Sequence, residues 1–251
     1  MLPVLQIGPF ALQTYPLALL LAGWLGLAVA GRAAKRLGMD DDHVYNAGLY
    51  ALIGGVIAGR LAHVIVYWQA YRTQPLEVFG FNTQAFLPLP GLLAGLAVAG
   101  WYVRRHKLPV VPFLDAVTPG ILTALTVAAI GALLVGRNAG APAELPWAVD
   151  LWGVRRHPSQ VYEALALAGV AAVVLAMIRQ GARPGAPALV GLLGYGLLRW
   201  LLEPFRAESA TLLGGIRTAQ VVGLVLALAA LWALARLQRT GGAGVEASRA
   251  G

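Results

Sequence analysis

About seven apolar runs, each near the roughly 20 residues that cross a bilayer as a helix, limit this chain's fold more than any other feature. They centre on 12–31, 46–68, 86–103, 113–136, 159–178, 187–205 and 216–237. In hydrocarbon every backbone N–H and C=O must find a partner within the protein, so such runs fold as helices. The chain is 251 residues long and only 12% charged, whereas a soluble domain carries about a quarter charged residues. The expected fold is all-α: a polytopic membrane protein with about seven transmembrane helices in one domain over 1–239. Residues 240–251, Gly/Ala-rich and polar, are expected to form a disordered tail. The opening lacks a basic segment and a small-residue cleavage pattern, so the first run is expected to be retained rather than cleaved.

Lys and Arg placement sets the expected orientation. One set of loops carries Arg32, Lys35, Arg36, Arg104, Arg105, Lys107, Arg179 and Arg183, with Arg236, Arg239 and Arg249 at the tail. The other set carries Arg72, Arg137, Arg155, Arg156, Arg206 and Arg217. The richer set belongs in the cytoplasm, which puts the N-terminus outside and the C-terminus inside. The net charge of +8 is then read as basic cytoplasmic loops, with no nucleic-acid partner. The longest stretches between spans, about 69–85 and 137–158, fall outside. The absence of cysteine excludes disulfides, a thiol nucleophile, cysteine-ligated metal and S-acylation of the chain itself.

The polar residues within these runs point to the chemistry. Tyr195, Arg199, Glu203 and Arg206 lie in GLLGYGLLRWLLEPFR, within roughly 80° of one another at about 100° per residue. A charge in such a run costs about 2.5–3.5 kcal/mol unless it faces a partner or a wet cavity. Pro204 is expected to kink the helix beside this stripe. Tyr15, Arg60, His157, Gln160, Tyr162, Glu163 and Gln220 complete the set, with Arg60, His157 and Arg206 expected in the outer half of the membrane. Arginine forks match phosphate oxygens and keep their charge, so convergence of these arginines suits a phospholipid headgroup. Plainer roles stay open: Arg199–Glu203 as a structural i,i+4 pair, Arg60 snorkelling, His157 capping a helix, Tyr15 and Tyr195 as interface aromatics. Asp115 is expected to be structural at the start of its own helix. His43, His106 and the run Asp40, Asp41, Asp42 are expected in solvated loop, and neither a metal nor a cofactor is expected.

These residues resemble a known family, the bacterial prolipoprotein diacylglyceryl transferases. HPSQVYE at 157–163 is similar to that family's HPSQLYE, and GYGLLRWLLEPFR at 194–206 to its G-Y-G-x-x-R-x-x-x-E-x-F-R helix. QIGPFALQTYP at 6–16 resembles its IGPxxLxWYG opening, placing Tyr15 on the functional tyrosine. GGVIAGRLAHVIVYW carries Arg60 and Tyr67 in the manner of GGRxGYVxFY, with His63 at a tyrosine position; LPWAV at 145–149 and Gln220 also fit. The resemblance implies a bacterial inner-membrane enzyme. It would move diacylglyceryl from phosphatidylglycerol to the lipobox cysteine of a secreted prolipoprotein and release glycerol phosphate. It implies catalytic roles for Arg199, Glu203 and Tyr15. It implies substrate contacts for Arg60, His157, Gln160, Tyr162, Glu163, Tyr195 and Arg206; Arg137, where the family has glutamate, is expected to add a phosphate contact of its own. Glu203, if freed from Arg199, is the candidate proton acceptor, and His157 the second.

One motif departs from the family. GRxGNFxNGExxG falls on AAIGALLVGRNAG at 128–140, where Gly131, Gly136 and Gly140 keep three of its four glycines. Ala129 replaces the arginine, Ala132 and Val135 the asparagines, and Arg137 the glutamate. The family's histidine at the third span corresponds most nearly to Pro90. Two other functions therefore stand beside transfer to a lipobox thiol. One is a paralogue with a different phospholipid head-group transfer; the other is a non-catalytic lipid- or lipoprotein-binding membrane protein.

Overall fold

The computed structural model describes residues 3–7, 10–80, 85–207, 209–211 and 217–249; Gly8 and Pro9 of the QIGPF opening lie outside them. Among these residues the chain runs through β1 (Val4–Ile7), β2 (Phe10–Gln13), α1 (Thr14–Arg36), α2 (Asp41–Val66), α3 (Trp68–Thr73) and α4 (Pro88–Arg105). It continues through α5 (Val110–Val135), β3 (Val149–Leu151), β4 (Val154–Arg156), α6 (Ser159–Arg179), α7 (Ala186–Leu202) and α8 (Thr218–Arg249). Among the described residues six helices, α1, α2, α5, α6, α7 and α8, are long and apolar enough to cross a membrane. The helix on the third apolar run, α4, is not among them, because its 18 residues end in Arg104 and Arg105. Helix α8 continues through most of the stretch that composition marks as a tail.

Backbone contact through glycine builds the bundle. A Cβ on Gly26 of α1 would lie 2.8 Å from the Gly120 carbonyl of α5, and one on Gly120 would lie 2.5 Å from the Gly26 carbonyl. The same reciprocity joins Gly55 to Gly91, pairing α2 with α4, and Gly196 to Gly223, pairing α7 with α8. Lipid gives no hydrophobic drive between helices, so such close van der Waals approach holds the pairs together. Helices α5, α6 and α7 pack side by side, and Leu122, Leu167, Val174 and Leu198 fill the core between them. The pairs are antiparallel. One end of the bundle therefore gathers the starts of α1, α4, α6 and α8 with the ends of α2, α5 and α7.

Asp115 illustrates how the bundle is tied at the other end. It is 1% exposed and accepts from the backbone N–H of Gly185 at 2.6 Å and of Ala188 at 2.8 Å. The helix N-terminus that it caps is that of α7, not that of its own α5 as the sequence suggested. A buried carboxylate here satisfies two orphan donors and opposes the positive end of the helix dipole. Asp115→Ala should lower stability by about 2 kcal/mol, read as an earlier thermal unfolding midpoint of the detergent-purified protein. The sequence also put Asp40, Asp41 and Asp42 in a loop. Instead, Asp40 caps α2 by accepting from the Asp42 N–H at 3.0 Å, and Asp41 pairs with Lys35 at 2.9 Å. His43, likewise expected in loop, lies in α2 with its Nδ1 3.1 Å from the Tyr102 hydroxyl and its ring 5.3 Å from that of His106.

Candidate functional site

At the end of α7 the charged stripe leaves the helix. Helix α7 stops at Leu202, Glu203–Phe205 form a 3₁₀ turn, and Arg206 is extended. Pro204 has no N–H for the carbonyl of Trp200, and the Gln220 side-chain amide reaches that oxygen at 3.4 Å. The guanidinium of Arg217 donates through Nη1 to the carbonyls of Glu203 and Arg206, the latter at 2.9 Å, and stands 3.3 Å from the Ser209 hydroxyl. Arg217 and Ser209 carry no helical periodicity, so the sequence reading did not select them; a cation and a hydroxyl close behind a Pro-broken helix end were the available signal.

Four charged side chains meet at this turn, joined by the Ser209 hydroxyl. Glu163 Oε1 accepts from Arg199 Nη1 at 2.9 Å and Glu163 Oε2 from Arg206 Nη2 at 2.6 Å. The other terminal nitrogen of Arg199 reaches Glu203 Oε2 at 3.2 Å, and Ser209 donates to Glu203 Oε1 at 2.7 Å. None of the four charged side chains is more than 18% exposed, so water screens these charges little. The Arg199–Glu203 pair is i,i+4 as its spacing requires, but Arg206 reaches the cluster from beyond the helix.

The HPSQ segment holds the neighbouring loop. Gln160, 1% exposed, donates to the Arg137 carbonyl at 2.7 Å, and Ser159 donates to that of Asn138 at 3.1 Å. The His157 N–H donates to Ala141 O at 3.0 Å, the Ala141 N–H to Phe205 O at 2.8 Å, and the Ala207 N–H to Ala139 O at 3.0 Å. Residues 139–141 thus run as a middle strand between 156–157 and 205–207. Gly140 sits at the crossing, where a Cβ would fall 2.0 Å from the His157 carbonyl oxygen. Gly136 ends α5 with φ +70°, a conformation that glycine adopts without strain.

The remaining candidates are distributed around this clasp. His157, Tyr162 and Phe205 pack edge to face, with ring centroids 5.1–6.2 Å apart. The Tyr162 hydroxyl accepts from Trp147 Nε1 at 2.7 Å, and His157 Nδ1 is buried with no partner among the described residues. The Arg137 guanidinium lies 4.6 Å from the centre of the Tyr15 ring. Tyr195 is half-buried against the core. Arg60 stands apart: its Nε, Nη1 and Nη2 donate to the carbonyls of Val78, Ala85 and Glu77, fastening the loop after α3. On α5, Ala129 is 7% exposed and Ala132 1%, so both lie in closed apolar packing.

The sequence model of a family described as prolipoprotein diacylglyceryl transferase matches residues 3–236. A protein of Synechococcus elongatus is 28% identical over 238 residues, covering 88% of this chain and 82% of its own length. One of Photobacterium profundum is 30% identical over 218 residues, covering 84% and 82%. One of Azoarcus sp. is 33% identical over 258 residues, covering 92% and 96%. All three are named phosphatidylglycerol–prolipoprotein diacylglyceryl transferase.

Proposed function

This chain belongs to the prolipoprotein diacylglyceryl transferase family, and from that premise we propose that it moves the diacylglyceryl group of phosphatidylglycerol to the cysteine thiol of a prolipoprotein lipobox. It is a multi-pass membrane enzyme of lipoprotein biosynthesis, working in the bacterial inner membrane. Its seventh span is α4, whose 18 residues at about 1.5 Å each cover roughly 27 Å of the ~30 Å hydrocarbon core. The N-terminus lies outside, which puts the Glu163 cluster in the outer leaflet beside a secreted substrate.

The observation that carries this reading is the bridge of Glu163 between Arg199 and Arg206. Its two oxygens mark where two oxygens of a phosphodiester would sit between the same guanidiniums. On binding, the lipid phosphate takes both cations and displaces the carboxylate. The thiol gives its proton to the freed Glu163, and the sulfur attacks the glycerol carbon next to the phosphate. The S–C bond forms, the C–O bond breaks, and its electron pair leaves on the phosphate held by the two arginines. Arg217 and Ser209 hold the turn that presents Arg206 and Glu203, and the Tyr15–Arg137 pair lies at the start of α1.

The test is purified protein in micelles with phosphatidylglycerol and a lipobox peptide, read as thioether product; the expected result is product well above background. No product, with a relative active alongside, overturns the reading. A second reading, a non-catalytic lipid or lipoprotein binder, is favoured by the buried Ala129 and Ala132 on the family's polar motif. Peptide binding without thioether would select it.

A further inference from the structure

A large apolar groove lies on the far side of the bundle from the Glu163 cluster's helices. The α2–α4 pair meets the α1–α5 pair closely only in places, as where Gly31 faces Tyr45 and Gly48 faces Leu27. Between the two pairs a cleft of about 1500 Å³ remains, lined by small and apolar side chains. Pockets for drug-sized ligands measure about 300–1,000 Å³, so this one suits a ligand with long chains. In hydrocarbon such a gap forfeits dispersion on both walls unless acyl chains fill it.

The two ends of the groove differ in charge. At the end shared with the Glu163 cluster the described lining is uncharged: Phe86, Leu87 and Pro88. The nearby Arg60 is not part of the groove lining, and its Nε, Nη1 and Nη2 each donate to a carbonyl of the loop after α3, those of Val78, Ala85 and Glu77. At the opposite end the lining includes Arg104 and Arg105, both exposed, and neither forms an ion pair among the described residues. Among the described residues that line it, the groove is apolar along its length and carries its cations, Arg104 and Arg105, at the mouth on the membrane face away from the transfer site.

We propose that this groove is a second lipid site, which takes a two-chain anionic phospholipid from the leaflet opposite the Glu163 cluster. The headgroup phosphate lies between Arg104 and Arg105, and the acyl chains run between the two helix pairs. With the orientation given above this is the cytoplasmic leaflet, whose anionic lipids supply the ligand. The site is separate from the reaction, since its charged mouth faces the other side of the membrane.

The test uses the full chain with brominated phosphatidylserine, an anionic lipid distinct from the proposed donor, and brominated phosphatidylcholine of the same chains. Retained lipid is counted by native mass spectrometry, and position is read by quenching of Trp101, one turn before the arginines on the groove wall. Phosphatidylserine should be retained in preference, and bromines near the headgroup should quench Trp101 more than bromines at the chain ends; Trp101→Phe should remove that difference. Arg104→Gln with Arg105→Gln should reduce the preference roughly tenfold or more. Gly100→Phe, placed where a Cβ meets nothing within 4 Å, should exclude the lipid while leaving the fold intact. Equal retention of both lipids, an unchanged preference in the double variant, or a second copy of the chain covering the groove would each overturn the proposal.

Discussion

Arg199→Ala should lower the transfer rate by about 10²–10³-fold at saturating phosphatidylglycerol. The side chain uses one terminal nitrogen on Glu163 and the other on Glu203, at 2.9 and 3.2 Å. Truncation removes half of the cationic clamp on the phosphate and leaves the little-exposed Glu203 carboxylate without its cation, while Glu163 keeps Arg206; breaking a buried pair in this way typically costs about 3–5 kcal/mol. Arg199→Lys should fail as well, because a point charge cannot replace a planar fork that serves two partners. The measurement is the initial rate of thioether formation, with circular dichroism to confirm that the helices persist. A rate equal to that of the parent would refute the placement of the site.

Gly140→Ala is the second large effect. The added Cβ would stand 2.0 Å from the His157 carbonyl oxygen and 2.8 Å from its carbonyl carbon. Both are backbone atoms and cannot swing aside. Residues 139–141 must then part from His157 or from 205–207, and the pairing that brings Arg206 to Glu163 is lost. The expected outcome is loss of about 3 kcal/mol or more, beyond the usual range for overpacking, together with loss of activity while helix content remains. Gly23→Ala is the control: in α1 its Cβ meets nothing within 4 Å, and helix propensity favours alanine by about 1 kcal/mol. It should unfold no earlier than the parent in a thermal scan.

The contrast between these residues shows what the sequence carried. Arg199 and Glu203 were legible because their spacing of four is a property of the helix itself. Arg206 was assigned to the same stripe, yet the helix stops at Leu202. Pro204 does more than kink the helix: it converts the last turn and sends Arg206 into an extended strand beside Gly140. Arg217 and Ser209 were not visible because they read backbone carbonyls and a carboxylate freed at that turn, and no periodicity marks such sites. Arg60 stood in the expected set of converging cations, but a half-buried guanidinium beside a loop is equally served by three carbonyls. Asp115 was recognised as structural, while the helix it caps lies 70 residues further along the chain. The two hairpins, with strands of three or four residues, are too short to announce themselves by alternation.

If Glu163 occupies the seat of the substrate phosphate, an anion and this carboxylate compete for Arg199 and Arg206. Titration of glycerol phosphate into the parent and into Glu163→Gln, followed by calorimetry, reads that competition directly. The variant should bind glycerol phosphate roughly tenfold more tightly, about 1.4 kcal/mol, while its transfer rate falls for want of the carboxylate. Equal or weaker binding by Glu163→Gln would contradict the exchange and leave Glu163 a fixed strut between the two arginines.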